Sequence, residues 1–222
     1  MNQNPTTLTR TVSGVSVNKV VRNTYLLLSM TLLFSAVTAG LSVVLHMPPI
    51  AYLLSTGGAL LLVWMVLPRY ANRAGGVGVV FGITGLLGFG LGPILNAYLA
   101  LANGPQIVGT ALGGTGIIFL ALSAYALTTK RDFNFLGGFL FTGFLVILMA
   151  AVANIFLAIP ALTLTISAAV ILIMSGFILF DTSRMVNGGE TNYVVATVSL
   201  YLSIFNIFIS LLNILGMTSD NN

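Results

Sequence analysis

Charge is what this chain has least of. Twelve of its 222 residues are Lys, Arg, Asp or Glu, while 57% are hydrophobic. Cysteine is absent, which excludes disulfides, thiolate metal ligands and a cysteine nucleophile. The one histidine, His46, cannot supply the H-E-x-x-H pair of a zinc protease. The four acids all lie outside the middle of the apolar runs, so the paired carboxylates of an intramembrane aspartyl protease are missing. The topology derived below puts His46 on the opposite side of the membrane from Asp181 and Glu190, which excludes a Ser-His-acid arrangement. The first two dozen residues are polar and carry no small-residue cleavage site, so they do not read as a signal peptide. These absences point away from an enzyme, and nothing in the sequence calls for a metal or a cofactor.

What is there is hydrocarbon. A mean hydropathy of +1.05 is too high for a soluble domain of this size, which must cover its surface with polar side chains. Seven apolar runs stand out: Tyr25 to Leu45, Ile50 to Leu67, Val77 to Tyr98, Ile107 to Leu127, Phe135 to Phe156, Leu162 to Phe180 and Val194 to Leu215. Most reach the roughly 20 residues that a helix needs to cross the bilayer core. The second and sixth are short, which draws Pro68 and Asp181 toward the interface. Helices satisfy their own backbone groups in lipid, and no alternating ten-residue strands are visible, so the expected fold is an all-α polytopic bundle of seven transmembrane helices. The expected organisation is a tail over 1–22 with little fixed structure, a membrane domain over 23–216 and a short C-terminal tail over 217–222.

The basic residues give this bundle its sides. Arg10, Lys19 and Arg22 precede the first run, Arg69 and Arg73 follow the second, Lys130 and Arg131 follow the fourth, and Arg184 follows the sixth. The alternate loops, 46–49, 99–106 and 157–161, hold no Lys or Arg. The positive-inside rule then puts the N-terminus in the cytoplasm and the C-terminus on the far side. The net charge of +4 is explained by loops facing an anionic leaflet, so lipid is the expected partner and nucleic acid is not.

Polar residues inside the runs mark the helices that face protein. Ser199, Ser203, Asn206, Ser210 and Asn213 recur at spacings of four and three, forming one stripe on the seventh helix. Lipid offers an amide no partner, so this helix belongs inside the bundle, its stripe acting either as interhelical glue or as the lining of a polar path. In the third run Gly78/Gly82 and Gly88/Gly92 are G-x-x-x-G pairs that permit close backbone approach. Gly88-Phe89-Gly90-Leu91-Gly92 lacks the strand and the acid of a nucleotide loop. Pro93 frees a carbonyl for which Asn96 is the expected local partner. Asp181, at the end of the sixth run, is either a solvated acid near Arg184 or a carboxylate in the bundle mouth able to take a proton or a cation. Gly188-Gly189 permits a tight turn, and Glu190 is expected in the first turn of helix seven, where it suits the positive helix end.

Phe180-Asp181-Thr182, Gly189-Glu190-Thr191-Asn192-Tyr193 and the segment Ala196 through Phe208 resemble the Bax-inhibitor family of seven-helix membrane proteins, and most closely its bacterial YccA branch. Asn23-Thr24-Tyr25 and Gly92-Pro93-Ile94 fit as well, so the likeness covers nearly the whole chain. The resemblance implies six helices wrapped around a central seventh. It also implies a multi-pass protein of the bacterial inner membrane, with a periplasmic C-terminus, that binds and inhibits the membrane-bound ATP-dependent protease FtsH. Other members of the family are pH-sensitive calcium leak channels with two aspartates between helices six and seven. The first of these maps onto Asp181. The second falls in a motif that here reads Leu200-Tyr201-Leu202-Ser203-Ile204-Phe205-Asn206, where Ser203 replaces the acid. The candidate proton-sensitive site is therefore Asp181, Ser203, Asn206 and Glu190. The serine favours the protease modulator over the alternative, a calcium or cation leak channel.

Overall fold

The computed structural model describes the backbone of residues 5–219 and the side chains of residues 17–218. Its helices are α1 (Pro5–Val44), α2 (Ile50–Tyr70), α3 (Gly76–Leu99), α4 (Gly104–Thr129), α5 (Leu136–Leu157), α6 (Pro160–Val186) and α7 (Tyr193–Ser219). Each is long and apolar enough to cross a membrane, so the seven-span, all-α reading of the sequence holds. Local chemistry sets the breaks. Pro105 and Pro160 sit in the first turns of α4 and α6, where a missing N–H costs nothing. Lys130 and Ala158 take left-handed conformations that close α4 and α5. Gly188, with φ of 78°, turns the chain out of α6.

The helices run past the apolar runs at several ends, and three of these extensions have a clear local cause. Helix α2 runs through Pro68 to Tyr70, because a π-helical turn over Leu62–Val66 precedes the ring and Pro68 opens the final turn instead of interrupting one. Helix α6 continues past Phe180 to Val186, because the polar residues that lower its hydropathy are bonded within the bundle. The Ser183 hydroxyl, for example, donates to the Arg131 carbonyl at 2.8 Å and accepts from the Phe133 N–H at 3.0 Å. The tail was expected to have little fixed structure, yet α1 is continuous from Pro5. Extending a helix already nucleated by a membrane span costs far less than starting one. Residues 1–4 and 220–222 lie outside the described residues.

Close packing is built on α3, which lies between α1 and α2. A Cβ at Gly88 would collide with Ser35 and Thr38, and one at Gly92 would collide with Ser42. One at Gly90 would come within 3.1 Å of Ser55 on α2. Gly78 meets nothing, so only the second G-x-x-x-G pair makes a close crossing. Asn96 does not serve the carbonyl freed by Pro93. It donates across to the Val43 carbonyl of α1 at 3.2 Å.

Helix α7 is central, as its polar stripe predicted. It packs against α1, α3, α4 and α6, and no residue from Val194 to Met217 is exposed. Its shell is four helices, not the six that the family resemblance implied. Helix α2 joins the bundle through α3, and α5 joins it through α6. The segments bearing basic residues meet at one end: Asn192 reaches Ala71 and Asn72, Ser183 reaches Arg131, and Gly188 lies beside Val17. At the other end Asn96 meets Val43, Tyr98 meets Asn213, and Asn154 meets Thr163.

Candidate functional site

A polar knot joins α1, α6 and α7 about two turns inside the basic end. Asp181 projects from α6 and accepts a hydrogen bond from the Ser199 hydroxyl of α7. One residue on, buried Thr182 shares a 3.4 Å hydroxyl contact with Tyr25 of α1. Thr197 of α7 donates to the Tyr193 carbonyl at 2.7 Å and lies 3.4 Å from the Thr24 carbonyl. The Thr24 hydroxyl is fully buried and has no hydrogen-bond partner among the described residues. A carboxylate with one hydroxyl partner can hold or release a proton. It falls well short of the six to eight oxygens that a calcium ion takes.

The carboxylate partner is Ser199, not Ser203. Because α6 extends beyond Phe180, Asp181 stands inside a helix rather than at its end, and it meets α7 one turn earlier than the motif alignment suggests. Ser203 is buried about 6 Å further along the axis. Asn206 is half-buried and donates to the Leu202 carbonyl of its own helix at 2.8 Å. Glu190 is not in the first turn of helix seven. It sits in the loop before it, where its carboxylate accepts from the Asn192 N–H at 2.8 Å and lies 3.7 Å from Arg184. Asn192 is the N-cap. Its side-chain oxygen accepts from the Val194 and Val195 N–H groups at 2.9 and 3.2 Å, while its amide ties the loop to the Ala71 carbonyl and to Asn72. Arg184 donates to the Gly189 carbonyl at 3.2 Å, and its guanidinium lies over the Phe180 ring. The acids Asp181 and Glu190 therefore belong to adjacent but separate sets of bonds.

Further along α7 the polar contacts continue. The Tyr201 hydroxyl is 2.5 Å from the Ser35 hydroxyl and 3.3 Å from the Thr84 carbonyl, joining α7 to α1 and α3. The Tyr98 hydroxyl donates to Asn213 at 2.8 Å. The sequence reading missed Tyr201 as a bonded core residue. Its signal was available, since a tyrosine on the central helix of a bundle must find a partner for its hydroxyl. The Asn192 cap was legible too, as an Asn immediately ahead of an apolar helix.

Comparison with known proteins places this arrangement. The family described as Inhibitor of apoptosis-promoting Bax1 matches residues 17–220. The chain is 53% identical over 207 residues to a protein of Escherichia coli K12 named Modulator of FtsH protease YccA, covering 93% of this chain and 94% of that one. The counterpart from a second Escherichia coli strain, equally similar, is named Inner membrane protein YccA. An uncharacterized membrane protein of Vibrio cholerae is 48% identical over 92% of both chains. The family match spans every helix of the bundle and the polar knot between α6 and α7, and the chain belongs to the Bax-inhibitor family.

Proposed function

We propose that this protein is a non-enzymatic modulator of the FtsH protease in the bacterial inner membrane, and that it binds and inhibits that protease. The observation that carries the reading is the 53% identity, end to end, with the relative named as a modulator of FtsH. The structure is compatible with a regulatory role. Its polar groups tie helices to one another, and its lipid-facing helices α2 and α5 leave broad apolar faces on the outside. The test is co-purification with FtsH from membranes in mild detergent, followed by degradation of a model membrane substrate with and without added protein. Stable association and slower degradation are expected. No association, with unchanged degradation, would refute the reading.

The orientation follows from charge. With the segments bearing Lys and Arg gathered at one end, the positive-inside rule puts that end, and the N-terminus, in the cytoplasm and the C-terminus in the periplasm. A reporter active only in the cytoplasm should work when fused after Lys130 and stay silent when fused after Gly104 or at the C-terminus. An active C-terminal fusion would reverse the assignment.

The alternative, a cation leak, turns on Asp181. The side chain paired with it is a serine, and so is the residue one turn further on. Calcium uptake into liposomes is therefore expected to be absent for the wild type at both mildly acidic and mildly alkaline pH. Ser199→Asp or Ser203→Asp, which place a second carboxylate near the first, should open a pH-dependent flux. Strong wild-type flux abolished by Asp181→Asn would put the leak reading first.

A further inference from the structure

On the half of the bundle away from the basic loops, α1, α3, α4 and α7 enclose a cavity of about 550 Å³. It is distinct from the Asp181 knot. Helices α1 and α4 touch where the Tyr25 and Phe119 rings lie 6.0 Å apart, but they make no extended contact among the described residues. Gly40 of α1 and Leu112 of α4 both line the cavity and are both exposed, so the cavity is open to the outside between these two helices.

We propose that this cleft is a binding site for one acyl chain of a membrane phospholipid, entering laterally between α1 and α4. The first ground is continuity with the surface that meets lipid. Gly40 of α1 and Leu112 of α4 line the cleft and are themselves exposed, beside Val37, Leu41 and Ile117 on the outer faces of the same helices. The second is the glycines at the mouth. A Cβ at Gly40 or at Gly116 would meet nothing within 4 Å, whereas one at Gly88 or Gly92 would collide with α1. The mouth glycines therefore do not serve close helix packing. They widen the entrance.

The third ground is the lining, which is apolar apart from a few hydroxyls that are already engaged. The Tyr201 hydroxyl is bonded to Ser35 and Thr84, and the Thr115 hydroxyl donates to the Ala111 carbonyl at 2.7 Å. An ordered water needs two to four polar partners, and the hydroxyl protons in the lining are already donated. A whole helix is about 10–12 Å across and cannot enter a space of this size. The volume falls within the roughly 300–1,000 Å³ of sites that enclose small apolar ligands. At this depth the surrounding solvent is acyl chain, and filling the cleft recovers dispersion contacts that its walls would otherwise forfeit. A chain seated there lies against Tyr201 and Phe205 of the central helix, beside the bonds that hold α7 to α1 and α3.

The test uses the purified full-length protein in vesicles of phosphatidylethanolamine and phosphatidylglycerol. The vesicles are doped with a phospholipid carrying a photoreactive diazirine in one acyl chain, and labelled residues are located by mass spectrometry. Label is expected on Phe205 and Phe208, which lie in the stretch of α7 from Val194 to Met217 where no residue is exposed, as well as on the lipid-facing side of α5. Gly116→Phe should abolish label on α7 and leave α5 labelling unchanged, which also shows that the bundle has folded. Gly40→Phe is the second variant should Gly116→Phe lose the α5 pattern. Absence of label on α7 in the wild type would overturn the proposal, as would α7 label that persists in a folded filling variant. A free fatty acid bearing the same diazirine, labelling α7 where the phospholipid does not, would overturn the assignment to phospholipid. Labelling that appears only after a partner membrane protein is removed would assign the cleft to that partner instead.

Discussion

Helices α5 and α7 are nearly alike in hydropathy and opposite in environment. In α7, 67% of the membrane window is buried, against 6% in α5, where Leu140 is the only buried residue. In water this pairing would be paradoxical, because apolarity drives burial. In lipid the acyl chains are as apolar as leucine, so a hydrophobic helix gains nothing by hiding. What draws α7 inward is a load of polar side chains, several of which find partners on other helices: Ser199 with Asp181, Tyr201 with Ser35 and Thr84, and Asn213 with Tyr98. Helix α5, with Thr142 bonded to its own backbone and Asn154 bonded at its end, has little reason to leave the lipid.

The sharpest way to break the contrast is to truncate a large side chain on each helix. Tyr201→Ala should leave a void that costs about 24 cal/mol per Å³, or about 2.4 kcal/mol for a ring of roughly 100 Å³, besides freeing Ser35. Phe156→Ala, at a side chain 84% exposed, should change stability by less than about 0.5 kcal/mol. Reversible unfolding in detergent, followed by helicity or by steric trapping, measures both. Equal losses would mean that burial in the bundle adds nothing beyond what lipid provides.

A smaller effect tests how α7 is begun. Asn192→Ala removes the N-cap and the tie to Ala71 and Asn72, and should cost about 1 kcal/mol, while Asn192→Asp, which can still cap the helix, should recover part of it. Faster amide exchange confined to the first turn of α7 and the loop before α3 is the expected signature. Exchange that rises throughout the bundle would show that the cap governs more than this end.

The smallest effect compares single hydrogen bonds. Tyr98→Phe removes the bond to Asn213 on the central helix, and Thr163→Val removes the one to Asn154 on the peripheral helix. Each should cost about 0.6 kcal/mol, the average for such bonds in membranes, because polar groups in the unfolded helices also find partners. A loss several times larger at Tyr98 would mean that the central helix acts as a cooperative network and not as a sum of pairs.

Most of the fold was legible because the bilayer simplifies the problem. Runs of about 20 apolar residues, Pro and Gly at their ends, and Lys and Arg restricted to alternate loops fix the number of helices and favour one orientation. The stripe from Ser199 to Asn213 picks out the central helix. What was misread lies where local polarity and tertiary bonding trade places. The sixth run was ended at Phe180 because Asp181, Thr182 and Ser183 look like a loop, yet their side chains bond to α7, α1 and the loop before α5. That reading put Asp181 at a helix end, while the family motif pointed to Ser203 as its counterpart; in the folded bundle the hydroxyl that reaches it is that of Ser199.

The sequence by itself determined that this chain spans a membrane seven times, how its charges alternate, and which helix could not tolerate lipid. Each of these follows from local composition acting against a uniform apolar solvent. Only the tertiary structure decided that α7 is shielded by four helices, that Asp181 meets Ser199, and that α1 and α4 part to leave a cleft. These outcomes depend on how helices cross, and crossing is set by a few small side chains such as Gly88 and Gly92, whose partners lie more than forty residues away in the chain.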